Sequence, residues 1–499
     1  MKFATLLERA HQHTSNTFSA RRVDGSDRQV SIPALLDEVD ALTAKLTQAG
    51  IRSGMQIGLQ AANGYEYVLW DLAAIRLGAL IHAVPEELPP EKLAALIQRH
   101  DAALWVCEND NALPGHPYRS SLADTWTDRP FTVNTEAGAL EDPDIYTRVY
   151  SSGSSGYLKG LDISRLGTEA LVSDFIADFA LDAHDSHLIF LPLSNYQQRL
   201  SVYGCLWAGA SLRIVRHTSV FQELGAFKPS FIVAPPAIYE NIYHVHGRGP
   251  RAAEKLGQFL GGNIRFMITG MAPIRLEVLR AYNELGFRLL EAYGVTETGM
   301  IAWNTPAIQR IGSVGRPIHP EHVHFSDESE VLIRRPFPLA KGYFDSTGSD
   351  GAQTFLADGT IATGDVGKLD DDGFLYLQGR KKEIILTGGG AKFHPEELER
   401  KLTALAWVRH AIVLQSQRTQ EVVAVLVTDE ADVPDSNVVD EAIRSLNQSL
   451  PSYMHIARKV VTHTVPSIDN GMLTRNLKYD RKGIYRNFQE DIEVTKAWA

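Results

Sequence analysis

The 499-residue chain has only two cysteines, Cys107 and Cys205, with no Cys-x-x-Cys pair and no histidine at ligand-like spacing from either. That scarcity argues against a disulfide framework or a zinc site and fits a reducing compartment. Lysine and arginine form no long run, and the formal net charge is -11. Nucleic acid and anionic membrane are therefore not expected as the main partner, although a local loop can still bind an anion. Long uncharged apolar stretches are missing as well. The most apolar segment, 67–84, is interrupted by Asp71 and Arg76, so it reads as a buried helix and not as a membrane span. Residues 1–10 carry Glu8 and Arg9 and no apolar run, so a signal peptide is not expected. These absences together predict a cytoplasmic protein.

What is present looks like an ordinary globular chain, 44% hydrophobic and 22% charged, and long enough for two or more domains. Ser31 and Pro33 open a helix with Leu35, Val39, Leu42 and Leu46 on one face, and Gly50 ends it. Short apolar strands at 55–59, 80–84, 103–107, 188–191 and 231–234 alternate with helices such as 65–78 and 90–99. That alternation predicts α/β architecture, with parallel-sheet layers covered by helices. After Gly379 the pattern changes to a helix at 395–405, strands at 408–414 and 422–428, a helix at 437–450 and a strand at 459–465. The expected organisation is a large N-terminal domain, 1–379, and a small mobile α+β domain, 380–499, with a polar hinge at 380–383.

Several segments have the composition of a ligand site. Tyr150 to Gly160 packs serines, glycines and Lys159 into eleven positions. Its backbone N–H groups and charge suit a polyphosphate, although the same composition describes a flexible linker. It is not a Walker loop, because no Ser or Thr follows Lys159. Glu291, Ala292, Tyr293, Gly294, Val295, Thr296 and Glu297 follow an apolar strand, where α/β folds place ligands. Tyr293 offers a flat face for a base, Thr296 a hydroxyl for a phosphate and Glu297 a hard oxygen for Mg²⁺. Thr363, Gly364 and Asp365 put a carboxylate on a predicted turn, suited to ribose hydroxyls. Gly270, Met271, Ala272 and Pro273 follow a predicted strand and would bring bare backbone near a ligand.

In this order and spacing the segments resemble the adenylate-forming (AMP-binding) superfamily, over roughly residues 18–482. Further matches are Gly312 to Pro317 and Gly379 to Glu383. Leu191 to Arg199 and the spacing from Arg380 to Pro395 are most similar to long-chain fatty acyl-CoA synthetases and the adenylation domain of carboxylic acid reductases. Asn195 stands where that subgroup usually has His. The resemblance implies an AMP-forming acid–thiol ligase using ATP, Mg²⁺ and CoA, or the phosphopantetheine of a separate acyl carrier protein; a non-catalytic acyl or nucleotide binder is the further alternative. It implies that Ser151, Ser152, Gly153, Ser154, Ser155, Gly156 and Lys159 hold the β/γ-phosphates, with Gly270, Ala272, Glu291, Ala292, Tyr293, Gly294 and Thr296 also around ATP. Tyr293 would stack on adenine, and Asp365 and Arg380 would hold the ribose. Glu297 would ligate Mg²⁺, Asn195, Tyr196, Met271 and Thr298 would face the acid, and Lys382 would be the hinge. A fatty or bulky apolar acid is the implied substrate, handled by a monomer or homodimer.

One family residue is displaced. Where many members have Gly-Lys near the C-terminus, this chain has Gly471 and Met472. The similar subgroup carries its lysine eight residues after an asparagine, and Asn470 to Lys478 has that spacing. Lys478, with Thr296 and Glu297, is therefore the expected catalytic set.

Overall fold

The structure is a computed structural model that describes residues 1–108, 115–152, 158–344, 349–386, 391–428, 435–473 and 479–493. Three sheets build the larger N-terminal part. The first has nine strands, of which Thr17–Arg21, Ser211–Ile214, Ser186–Ile189, Phe231–Ala234, Phe266–Thr269 and Leu289–Val295 run parallel. The second has seven strands, with a parallel half that includes Gln56–Gln60, Leu80–Val84 and Leu104–Cys107. The third, four-stranded and wholly antiparallel, was not expected from the sequence. Its strands alternate charged and apolar residues too weakly to show a period of two.

Local signals explain the individual elements. Ser31 accepts a hydrogen bond from the Ala34 N–H and caps the helix Ile32–Ala49, which Gly50 closes in the left-handed conformation, φ 106°. The apolar segment at 67–84 is a buried helix, Tyr65–Leu77, followed by a strand, Leu80–Val84. Its charges are answered. The Arg199 Nη1 donates to Asp71 over 2.8 Å, the Tyr203 hydroxyl over 2.6 Å, and Arg76 reaches Asp40 at the surface. No helix among the described residues is long and apolar enough to cross a membrane. Both cysteines are buried thiols outside any disulfide.

The C-terminal part has its own apolar core. One face gathers Leu398, Leu402, Val413, Ala424 and Ile443, and the other gathers Ile412, Val423, Val425, Met472, Ile484 and Ile492. Between them lies a three-stranded sheet of His410–Gln415, Val422–Val427 and Ile456–Thr462. The two parts meet at the turn Lys381–Glu383. On one side of it Lys381 bonds Glu330 and Glu328 of the four-stranded sheet region. On the other, Glu383 accepts from Arg481, which also grips Glu399. Lys382 lies exposed between these anchors.

Candidate active site

Strand ends and one helix end surround a cavity of about 250 Å³. The strand Leu289–Val295 delivers Gly294 and Val295 to its wall, with Thr296 and Glu297 just beyond. A register shift between Tyr293 and Gly294 bends this strand against Gly299–Trp303. Gly294 is required there, because a Cβ would fall 2.2 Å from the Gly299 carbonyl oxygen. Asn195 caps the helix Tyr196–Ala208, and it and Gln197 reach the cavity from the second side. Met271 follows the strand Phe266–Thr269 and stands at φ 73°, a conformation that is uncommon outside glycine. Thr354, Ala362, Thr363 and Arg380 complete the lining.

Asp365 lies directly behind this wall. Its Oδ1 is 3.0 Å from the Arg380 Nε, and its Oδ2 accepts from the Tyr293 hydroxyl over 2.9 Å. The predicted turn at Thr363, Gly364 and Asp365 is instead part of the strand Ile361–Leu369, with Gly364 at φ 74°. Left-handed glycine inside a strand makes a local kink, which is why the sequence reads as a turn.

The structure thus brings Asn195, Met271, Gly294, Thr296, Glu297 and Arg380 onto one cavity. Gly270, Ala272 and Ala292 flank it along the chain. Three expected residues point elsewhere. Tyr196 is in the core, its hydroxyl 2.6 Å from the Thr168 Oγ1. Thr298 is buried and donates to the Gly299 carbonyl. Tyr293 does not line the cavity, because its ring packs with Ile301, Val331 and Leu375. The backbone of Ser151 and Ser152 pairs with Lys159 and Leu158, so the two strands close a hairpin. Gly153, Ser154, Ser155, Gly156 and Lys478 lie outside the described residues.

A residue absent from the sequence reading joins these pieces. The Tyr343 hydroxyl donates to the Glu297 carboxylate, and the Lys159 ammonium stands 5.4 Å from the Tyr343 ring centre. The hairpin and the Thr296–Glu297 corner are therefore linked through Tyr343. Only the pairing of Ala340–Phe344 with Leu158–Ser164 reveals it. The hard carboxylate oxygens of Glu297, facing a polar cavity beside the Thr296 hydroxyl, fit the donor chemistry of Mg²⁺.

Glu291 lies three residues before Gly294 on the same strand. Burial pushes its carboxyl up to about 7, against the pull of the Gly312 N–H that it accepts. An acid raised in the folded state loses stability as pH climbs from its ordinary range to its folded value. Glu291→Gln keeps an acceptor for Gly312 and removes the titration. The expected result is equal thermal stability at pH 4 and a gain of about 1 to 3 kcal/mol above pH 7, read from melting curves across pH.

Comparison with known proteins places this geometry. The family described as AMP-binding enzyme matches residues 6–344, and the AMP-binding enzyme C-terminal domain matches 382–497. The long-chain-fatty-acid–CoA ligase FadD15 of Mycobacterium tuberculosis is 25% identical, covering 98% of this chain and 96% of its own. The 2-succinylbenzoate–CoA ligase of Bacillus licheniformis is 23% identical over 75% of this chain and 79% of its own. Among solved structures, the anthranilate CoA ligase AuaEII with anthranoyl-AMP superposes with a TM-score of 0.81 at 18% identity, covering 99% and 98% of the two chains. The A-PCP didomain of carboxylic acid reductase from Segniliparus rugosus, in complex with AMP, gives 0.75 at 19%, covering 98% and 81%.

Proposed function

Because the chain belongs to the AMP-binding enzyme family, we propose that it is an ATP-dependent carboxylic acid–thiol ligase. It activates the acid as an acyl adenylate, releases pyrophosphate and passes the acyl group to CoA. The observation that carries this reading is the single cavity lined by Thr296, Glu297 and Arg380, with Asp365 locked behind it.

The chemistry asks for such a set. A carboxylate is a poor nucleophile, and the α-phosphorus of ATP is shielded by negative charge, so both anions must be neutralised and aligned. Arg380 supplies fixed positive charge, and Thr296 a hydroxyl for the α-phosphate. Asp365 has its two oxygens oriented by Arg380 and Tyr293, and its carboxylate would accept from the ribose hydroxyls. The Tyr293 role supported by this bond is to orient Asp365 and not to stack on the base. Glu297 would hold Mg²⁺, which when bound offsets phosphate charge. Lys159 would meet the departing β/γ-phosphates, and Lys478 would bridge the reacting anions.

Position 472 supports the assignment of Lys478. Met472 is fully buried in the core of the C-terminal part, a place that rejects an unpaired ammonium. We divide the chain at 379/380, with Lys382 as the pivot of a rotation that exchanges Lys478 for a thiol path between half-reactions. Mutually distant anchors on Lys381 and Glu383 support that pivot.

The acid is proposed to be fatty or bulky and apolar, in keeping with the name of the FadD15 relative. Acid-dependent exchange of labelled pyrophosphate into ATP, run over a panel of carboxylic acids, tests the reading. Exchange with a long-chain or bulky apolar acid is expected; none with any acid would make the chain a non-catalytic binder. CoA and a carrier protein are then compared as acceptors, and transfer to the carrier alone would replace CoA.

A further inference from the structure

On the large N-terminal part lies a cluster that the ligase reading does not use. His319, Glu321 and His322 follow the segment Arg316–Pro317, around a tight turn at Pro320–His322. One ligand-type atom from each residue lies within 4.8 Å of the others. The His319 Nδ1 is 3.6 Å from the Glu321 Oε1, and the His322 Nε2 is 3.8 Å from the same oxygen. Both are too long for hydrogen bonds. Bonds of about 2.1 Å at tetrahedral angles place ligand atoms about 3.4 Å apart, so each histidine nitrogen stands within a few tenths of an ångström of that spacing from Glu321.

A fourth residue supplies what a metal-binding histidine ordinarily has. Asp174, at the end of the helix Arg165–Asp178, lies 3.0 Å from the His319 Nε2. That contact places the ring proton on Nε2 and leaves the Nδ1 lone pair facing Glu321 and His322, the carboxylate–histidine–metal arrangement. Two carboxylates, Asp174 and Glu321, face the histidines, and the neighbouring guanidinium of Arg335 is held on the carbonyls of Thr298 and Met300. Glu321 is two-thirds exposed and can close on an ion at little cost.

We propose that His319, Glu321 and His322 bind a divalent transition-metal ion of the Zn²⁺ class, oriented by Asp174, with water in the open position. Two imidazoles and one carboxylate suit Zn²⁺ and Co²⁺ over Mg²⁺ or Ca²⁺. The ion would tie the 319–322 turn to the helix that carries Asp174.

The test uses the full chain without a histidine tag. Isothermal titration with Zn²⁺ is expected to show one saturable equivalent, and Co²⁺ a tetrahedral visible spectrum. His319→Ala and His322→Ala should each abolish both signals, and Asp174→Asn should weaken binding about 10- to 100-fold. Circular dichroism confirms that these surface variants stay folded. No saturable equivalent, or an equivalent that survives the His319→Ala/His322→Ala double variant, would overturn the site. The readout is metal binding, so it is independent of the ligase assay.

Discussion

Replacing Lys478 with alanine is expected to lower acyl-adenylate formation about 10²- to 10³-fold, the usual cost of one preorganised electrostatic contact at a transition state. Thioester formation from supplied acyl adenylate should stay near the parent rate, because that step no longer brings two anions together. Two negative charges at 4 Å repel by about 4 kcal/mol at a protein surface, against about 1 kcal/mol in water. A lysine held between them removes most of that difference. The frame around the segment is firm. Leu473 and Tyr479 form a β-bridge, the Asp480 N–H donates to the Met472 carbonyl, and the Tyr479 hydroxyl bonds His410. Lys478 directly precedes Tyr479 in the chain, and these contacts hold Tyr479. Single-turnover measurement of each half-reaction checks the split. Undiminished adenylation in Lys478→Ala would remove the assignment.

Met472→Lys is expected to destabilise the C-terminal part by about 4 kcal/mol or more. It supplies a lysine where the family resemblance expects one, yet it puts an ammonium among Ile412, Val425, Ile484 and Ile492. Full burial lowers a lysine by about 3 to 5 pKa units, each worth about 1.4 kcal/mol. The unfolded chain keeps the proton that the folded chain sheds, so the deficit should shrink as pH rises toward 10. Limited proteolysis, reading cleavage between residues 385 and 493 across pH, measures this. The double variant Met472→Lys/Lys478→Ala should not recover adenylation, since the new side chain faces the core. Unchanged protease resistance of Met472→Lys would show that position 472 tolerates a charge, and would reopen it as the catalytic position.

Much of the site was legible because its residues sit on local signals. A glycine after an apolar strand, a serine ahead of a helix and a proline at a first turn act over a few residues. The elements at 32–49, 80–84 and 231–234 accordingly fall where the sequence places them. The same locality brought Gly294, Thr296 and Glu297 to one strand end, and Met271 to another. The family resemblance added Arg380 and Asp365, which composition alone would leave as surface charges.

Orientation was another matter. Asn195 and Gln197 reach the cavity while Tyr196, between them, turns into the core, because Asn195 is the extended cap residue ahead of the helix and does not follow its rotation. Tyr293 and Gly294 divide in the same way along a strand of period two, the ring going to the Ile301 and Val331 cluster. Tyr343 meets Glu297 only through sheet pairing, and Asp174 meets His319 across 145 residues. Residue order alone was enough for the alternating α/β elements and the family chemistry, and for proposing Lys478 in place of position 472. The assembled fold was needed to see which side chains face the cavity, that Met472 is buried among apolar residues, and which distant groups meet. The physical reason is range: caps and turns act between near neighbours, whereas burial and side-chain pairing depend on chain segments that meet only once the sheets have assembled.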